Sequence, residues 1–220
     1  MKELQQARQQ CKRSTARPEE SRASEADPDA VRMKQGDGGF RVGYNVQTVT
    51  DAEHGLVACT DVTDQGNDSG QLSAQLNKLE QEQGVRPQEA LVDAGYATPE
   101  DIEQAEGSGV RLLMPPRDHR KDVEAGRDPY APKRRDSELV AAWRQRMGTP
   151  EAQQVYKQRS GLAEIIHARM EQRKWQRFRL RGLPKVKAEA VWQALAHNVS
   201  RLLALGRLLG VPGRVRAAGA

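Results

Sequence analysis

The feature that most constrains the fold is a stretch of alternating apolar and polar residues after residue 38. Every second position is apolar over this stretch, which predicts a strand with one buried face, formed by Phe40, Val42, Tyr44 and Val46. Residues 51–55 have turn chemistry, and residues 56–62 are typical of a second strand. The pair predicts an antiparallel hairpin, so the fold must contain a sheet.

The rest of the chain adds helices and short buried strands. A helix is predicted over 68–83, ended by Gly84, and Thr98 and Pro99 start another. Short apolar runs predict strands at 90–93 and 110–114. Helices follow over 136–147, 151–174 (with an interruption near 160–161) and 185–209, the last with an apolar stripe of Val186, Ala190, Val191, Leu195, Val199, Leu202 and Leu203. This order predicts an α/β domain: a mixed sheet with flanking helices, then a helical C-terminal part.

The 220 residues suit one domain. Residues 1–25 are polar and predict a disordered or helical lead-in. The core is expected over 26–209, with an exposed loop at 117–135, where charge and proline replace periodicity. Residues 210–220 are expected to be a frayed tail.

Charge is unevenly distributed along the chain. The net charge is +5, but residues 156–185 alone contain nine Lys or Arg and two acids, a net of +7. Such a segment is either a solvated helix face or a phosphate-binding surface. No apolar stretch is long enough to cross a membrane, and no signal peptide is visible, so the expected compartment is cytoplasmic. Two lone cysteines, Cys11 and Cys59, indicate neither a disulfide framework nor a zinc site.

Three acids stand out by position. Asp93 ends an apolar strand, where ligands collect in open α/β sheets, although a turn or helix-capping aspartate would look the same. Glu164 lies within an apolar helical stripe, where a carboxylate needs a cation, a donor or a path to solvent. Asp27 precedes the sheet in an Asp-Pro-Asp sequence that is also ordinary turn chemistry.

Four stretches together resemble the DDE transposases of bacterial insertion sequences, the branch with a ribonuclease H-like catalytic core. They are ADPDAVRMKQGDGGFRVGYNVQTVTD, ALVDAGYAT, YKQRSGLAE, and FRLRGLPKV with ALAHNVSRLL, in the family's order. The resemblance implies Asp27, Asp93 and Glu164 as catalytic metal ligands, with Asp29 as the substitute for Asp27. It implies Mg²⁺ or Mn²⁺ as cofactor, two ions in number, because two ions can serve both the attacking and the leaving oxygen.

The same resemblance implies DNA as partner, at element ends and target, and a homodimer when active. Basic and aromatic residues around Glu164 are expected to contact DNA: Tyr156, Lys157, Arg159, Arg169, Arg173, Lys174, Arg181 and Lys185. The family often has a lysine on the helix after the glutamate; this lysine is not in its usual place here, and Arg169 is the candidate substitute. The function implied is strand cleavage and strand transfer of an insertion sequence. Two alternatives remain: an inactive or truncated DNA-binding remnant, since the polar lead-in is short, and a related nuclease without strand transfer.

Overall fold

A computed structural model of the protein describes residues 24–34, 38–172, 175 and 177–208; at 163–165, 167, 207 and 208 it describes the helical backbone alone. The polar lead-in and the tail predicted from the sequence fall almost entirely outside these residues. The described part contains helices and strands, as an α/β fold requires. Within it, no helix combines the length and the apolar character needed to cross a membrane.

Six strands join in three hydrogen-bonded pairs within the described residues. β1 (Val31–Lys34) pairs antiparallel with β2 (Phe40–Gly43), and β3 (Asn45–Thr50) pairs antiparallel with β4 (Val57–Thr63). β5 (Glu89–Leu91) and β6 (Arg111–Leu113) are parallel. Antiparallel and parallel pairing therefore coexist, as predicted, but the described strands form three two-stranded sheets and not one continuous sheet.

The alternating segment behaves differently from its prediction. It divides at Tyr44 into β2 and β3, and the side chains of Phe40 and Val42 are more than half exposed. The expected buried face is thus wrong for β2. Phe40 instead lies under the guanidinium of Arg32, 4.2 Å from its ring centroid, which gives this exposed hairpin a cation–π contact. In β3 the most buried side chain is Gln47, a polar one.

Seven helices complete the described chain: α1 (Leu72–Gln83), α2 (Pro99–Gly107), α3 (His119–Glu124), α4 (Glu138–Met147), α5 (Pro150–Tyr156), α6 (Gln158–Gln172) and α7 (Leu183–Leu208). Gly84 ends α1 in a left-handed conformation, and Thr98 caps α2 in a capping box, both as predicted. The break in the predicted 151–174 helix falls at Lys157, not at 160–161.

The segment 117–135, predicted to be an exposed loop, contains α3 and a buried carboxylate. The Asp122 side chain is 6% exposed and pairs with Arg127 at 2.7 Å and Lys133 at 2.9 Å. These two cations hold the pKa of Asp122 below its usual range. Sequence periodicity could not reveal this structure, because it is built from ion pairs and not from an apolar stripe.

Three groups of buried side chains hold the elements together. The first packs β6 against α1, α2, α4 and α5, with Leu112, Leu113, Trp143 and Met147 fully enclosed. The second lies between β4, α6 and α7, around Ile166. The third lies between the β3–β4 hairpin and α7, around Val62 and Val186. Burial of such side chains is the main stabilising contribution in all three.

Helix α7 is fastened to the start of β4 by polar contacts as well as apolar ones. The amide side chain of Asn198 bonds both the N–H and the C=O of Val57, each at 2.8 Å. The fully buried ring of His197 lies 2.9 Å from the carbonyl of Gly55 through its Nε2 atom. His197 and Asn198, which lie in the ALAHNVSRLL stretch, thus form hydrogen bonds with backbone groups at the start of β4.

Candidate active site

Asp93 lies just beyond the carboxyl end of β5, where the sequence placed it. The N–H of Val92 bonds the carbonyl of Leu113 at 3.0 Å, which extends the parallel pairing to the residue before Asp93. The chain then turns, with the N–H of Tyr96 bonding the Asp93 carbonyl at 3.0 Å. This turn leaves the Asp93 carboxylate 62% exposed. A strand end and a tight turn therefore present a charged, solvent-facing acid.

A cavity of about 460 Å³ opens beside Asp93. It contains a second carboxylate, from Asp68 in the β4–α1 connection, and one cation, from Arg117. Its other lining residues are Asn67, Ser69, Gly95 and Tyr96. The lining thus includes two carboxylates, which are ligands that hard divalent cations prefer.

Asp68 is fixed in this cavity by side chains of β3. Its Oδ1 accepts from Asn45 Nδ2 at 2.8 Å and from Gln47 Nε2 at 2.9 Å. The buried Gln47 in turn accepts a hydrogen bond from the hydroxyl of Tyr96. Burial raises the pKa of Tyr96, and the charge of Asp68 raises it further, so Tyr96 remains a neutral donor. This network explains why Gln47 is buried.

Asp68 was not among the acids singled out from the sequence. The only signal was the Asn67-Asp68-Ser69-Gly70 turn ahead of a helix, which is common in proteins without any active site. Its place near Asp93 depends on the hydrogen bonds from β3, which local sequence patterns do not show.

The basic segment reaches Asp93 through Arg159 on α6. The guanidinium Nη2 lies 2.8 Å from Asp93 Oδ2. Tyr156 ends α5 three residues earlier, and its pKa is raised mainly by burial. The structure therefore brings the second acid together with the Tyr-x-x-Arg part of the third-acid segment.

Glu164 follows Arg159 by five residues on α6, about 7.5 Å further along the helix axis at 1.5 Å per residue. Its backbone is helical, and its side chain lies outside the described part of the chain. The position of its carboxylate relative to Asp93 stays a prediction.

Asp27 and Asp29 occupy a different place, at the start of α7. The Asp27 carboxylate accepts from the Tyr44 hydroxyl at 2.7 Å and from the N–H of Gly182 at 3.2 and 3.3 Å. Asp29 accepts from the N–H of Leu183 at 2.9 Å. Both acids satisfy amide groups at a helix N-terminus, where negative charge is stabilising. Neither lines the cavity beside Asp93.

The remaining predicted DNA contacts lie on α6, its flanks and the approach to α7. Lys157, Arg181 and Lys185 are exposed, and Arg169 is half-buried. Arg173 and Lys174 lie outside the described residues. Exposed cations on neighbouring elements can contact successive phosphates without reading sequence.

The carboxylates in this cavity are the kind of ligand that a divalent ion requires. Asp68 and Asp93 bring carboxylate oxygens to one cavity, and hard cations such as Mg²⁺ prefer these ligands. Among the side chains that the structure describes, no group of three acidic, His or Cys residues is close enough to hold one ion. The donors present fit the ion in kind, and a third ligand would come from a side chain such as Glu164.

Comparison with known proteins places these features in a family. The family model for the "Transposase DDE domain" matches residues 13–199, which include Asp27, Asp93, Arg159 and Glu164. No curated protein and no solved structure matches the chain. A match over this much of the sequence, together with the strand-end acid and its basic neighbour, shows that the chain belongs to the transposase DDE domain family.

Proposed function

We propose that this member of the family cleaves DNA strands and transfers them in a metal-dependent reaction. The observation that carries the proposal is the pairing of Asp93 with Arg159, because it places a strand-end acid against a segment of net charge +7. A carboxylate suited to a metal ion and cations suited to phosphates then meet at one point. Metal-dependent cleavage of DNA uses both, the carboxylate to hold the ion and the cations to hold the phosphates.

In this proposal Asp93 and Glu164 hold the ions, with a first acid from Asp27 or, in its place, Asp29. Divalent ions, Mg²⁺ or Mn²⁺ and two in number, would when bound activate the attacking oxygen and stabilise the leaving one. Arg159, Tyr156 and the neighbouring basic residues position the DNA backbone. The β3–β4 hairpin and the parallel β5–β6 pair belong in this proposal to a ribonuclease H-like core.

Asp68 is a further candidate for the first acid. It shares the cavity with Asp93, whereas Asp27 and Asp29 bond the start of α7. Its Oδ1 is engaged by two amide side chains, which would orient the carboxylate toward an ion. Substitution of each residue in turn distinguishes Asp27 from Asp68 as the first acid.

The central test is nicking of supercoiled plasmid in Mn²⁺ by the full chain. Asp93→Ala is expected to reduce nicking at least ~100-fold, because a metal ligand is lost, while DNA affinity changes less than about threefold. Glu103→Gln removes an exposed acid on α2 and serves as the matched control. Nicking retained by Asp93→Ala would contradict the assignment of this residue.

A second candidate function is DNA binding without cleavage. The net charge of +7 in residues 156–185 favours it, since these cations could bind phosphates without any convergence of carboxylates. In that case the wild-type chain binds DNA through its basic segment but does not nick it in Mg²⁺ or Mn²⁺. The nicking assay on wild-type protein separates the two functions.

A further inference from the structure

Helix α7 has an apolar face that the described chain leaves in solvent. Its buried side carries Val186, Ala190, Ala194 and His197, which pack on the β3–β4 hairpin and α6. The opposite side carries six large apolar side chains that are between 49% and 68% exposed: Val191, Trp192, Leu195, Val199, Leu202 and Leu203. Large exposed apolar patches on one element are typical of protein–protein contact surfaces.

This outer face of α7 lacks charge. Nine positions between 188 and 203 are exposed, and none of them is ionisable: the six above with Ala188, Ala196 and Ser200. DNA and strongly acidic or basic proteins would be recognised by charge, so a face of this kind does not suit them. It suits another apolar helix.

The spacing along the face is that of a helix-pairing seam. Ala188, Trp192, Leu195, Val199 and Leu202 follow one another at intervals of four, three, four and three residues. Apolar residues at this spacing pack against a second helix as knobs into holes.

We propose that the outer face of α7 is the surface through which two copies of this chain associate, with their α7 helices antiparallel. A two-fold axis between Leu195 and Ala196 makes the face complementary to itself. It sets Trp192 opposite the partner's Val199, Ala188 opposite the partner's Leu203 and Leu195 opposite the partner's Ala196. A large side chain then meets a smaller one at each level, as an isologous interface requires.

The size of the face agrees with this partner. From their exposed fractions, the six residues present roughly 650 Å² per copy, so a pair buries at most about 1,300 Å², at the lower end of the range of stable specific interfaces. The N-terminal segment of the chain is a poor alternative occupant. Its residues 1–23 include only two large apolar side chains, Met1 and Leu4.

The mass of the protein in solution without DNA tests the surface. Sedimentation over ~1–100 μM protein, a range that reveals micromolar association, is expected to show a species of twice the 24.5 kDa chain mass. Leu195→Glu should weaken association more than about tenfold, because two like charges would face each other at the axis. Val123→Glu changes an equally exposed apolar residue on α3 and should leave the dimer intact. A monomeric wild-type chain, or a Leu195→Glu chain that still dimerises, overturns the proposal.

Disulfide trapping tests the antiparallel arrangement in a Cys11→Ser background, with Cys59 buried. Leu195→Cys alone should cross-link, since two copies of position 195 lie beside the axis. Ala188→Cys alone should not cross-link, but should do so when mixed with Leu203→Cys. Cross-linking of Ala188→Cys to itself would overturn the antiparallel arrangement. Neither experiment depends on DNA cleavage, so this proposal and the proposed function succeed or fail separately.

Discussion

At the scale of single residues, Asp27 and Asp29, on either side of Pro28, are compatible with two different roles. The family resemblance implies a metal ligand, whereas the hydrogen bonds show a structural role at the start of α7. Tyr44 is a second donor to the Asp27 carboxylate, beside the N–H of Gly182, and burial, followed by this hydrogen bond, raises the pKa of the Tyr44 hydroxyl. These contacts make Asp27 testable by stability as well as by activity.

Replacement of Asp27 should separate the two roles. Asp27→Ala is expected to lower the free energy of unfolding by about 1 kcal/mol, since amide groups at the start of α7 lose their acceptor, while Asp27→Asn changes it by only a few tenths. Urea denaturation followed by circular dichroism measures both. Loss of plasmid nicking in the stable Asp27→Asn chain identifies a metal ligand. If nicking is retained there and lost in Asp68→Asn, Asp68 is the first acid.

Sequence reasoning was informative for acids whose position is fixed locally. Asp93 could be predicted because an apolar run and a turn define the end of β5. Asp68 could not, because the side chains that orient it come from β3, more than 20 residues earlier. Only a three-dimensional arrangement brings such groups to one cavity.

At the scale of elements, the junction between α1 and α2 depends on one carboxylate. Asp101 accepts from the N–H and hydroxyl of Thr98 and from the hydroxyl of Ser73 at 2.5 Å. Burial alone would raise its pKa, but these hydrogen bonds outweigh burial and hold the pKa below the ordinary value of 3.8. One side chain therefore caps α2 and ties it to α1.

This depressed pKa gives a pH-dependent contribution to stability. The ionised form is favoured in the folded state, so the contribution is present above the ordinary pKa of 3.8 and is lost as pH falls through the lower folded value. Asp101→Asn should cost about 1–2 kcal/mol at pH 7, and the difference from wild type should shrink below pH 4. Thermal unfolding at several pH values measures it. A difference that is constant across this range would contradict the role of the charge.

The elements also show where pattern analysis fails. The stripe predicted for α7 mixes residues of two opposite faces, and only its Val186 and Ala190 are buried. Hydrophobicity predicted a helix correctly but could not show which apolar residues are buried in this chain and which stay exposed. For the same reason, the alternating pattern predicts a buried face for Phe40 and Val42, whereas both side chains are exposed in β2.

At the scale of the whole molecule, charge is segregated: residues 156–185 are strongly basic and the rest of the chain has a net charge of −2. In the proposed function, this basic segment is attracted to phosphates and the rest of the chain is weakly repelled by them. Binding should therefore depend strongly on salt whatever the DNA sequence.

The logarithm of the DNA association constant should fall against the logarithm of salt concentration with a slope of about −4.5 to −6.3, for about five to seven phosphates neutralised. Arg159→Gln should make the slope shallower by about one. Arg120→Gln removes an equal charge from exposed α3 and should leave the slope unchanged. Fluorescence anisotropy with a labelled duplex at several salt concentrations gives these slopes. Equal slopes for wild type and Arg159→Gln would show that Arg159 does not contact a DNA phosphate.

The bonds between α7 and the β3–β4 hairpin also set the order in which this chain can acquire structure. Asn198 bonds Val57, 141 residues earlier, and Gly182 bonds Asp27, 155 residues earlier. At ribosomal rates of about 5–20 residues per second, the hairpin emerges roughly 7–30 s before its covering helix. During that interval its apolar side chains and the strand edges of β3 and β4 are open to other chains. Because closure depends on contacts of high sequence separation, we expect this half of the molecule to fold more slowly than the half around β6.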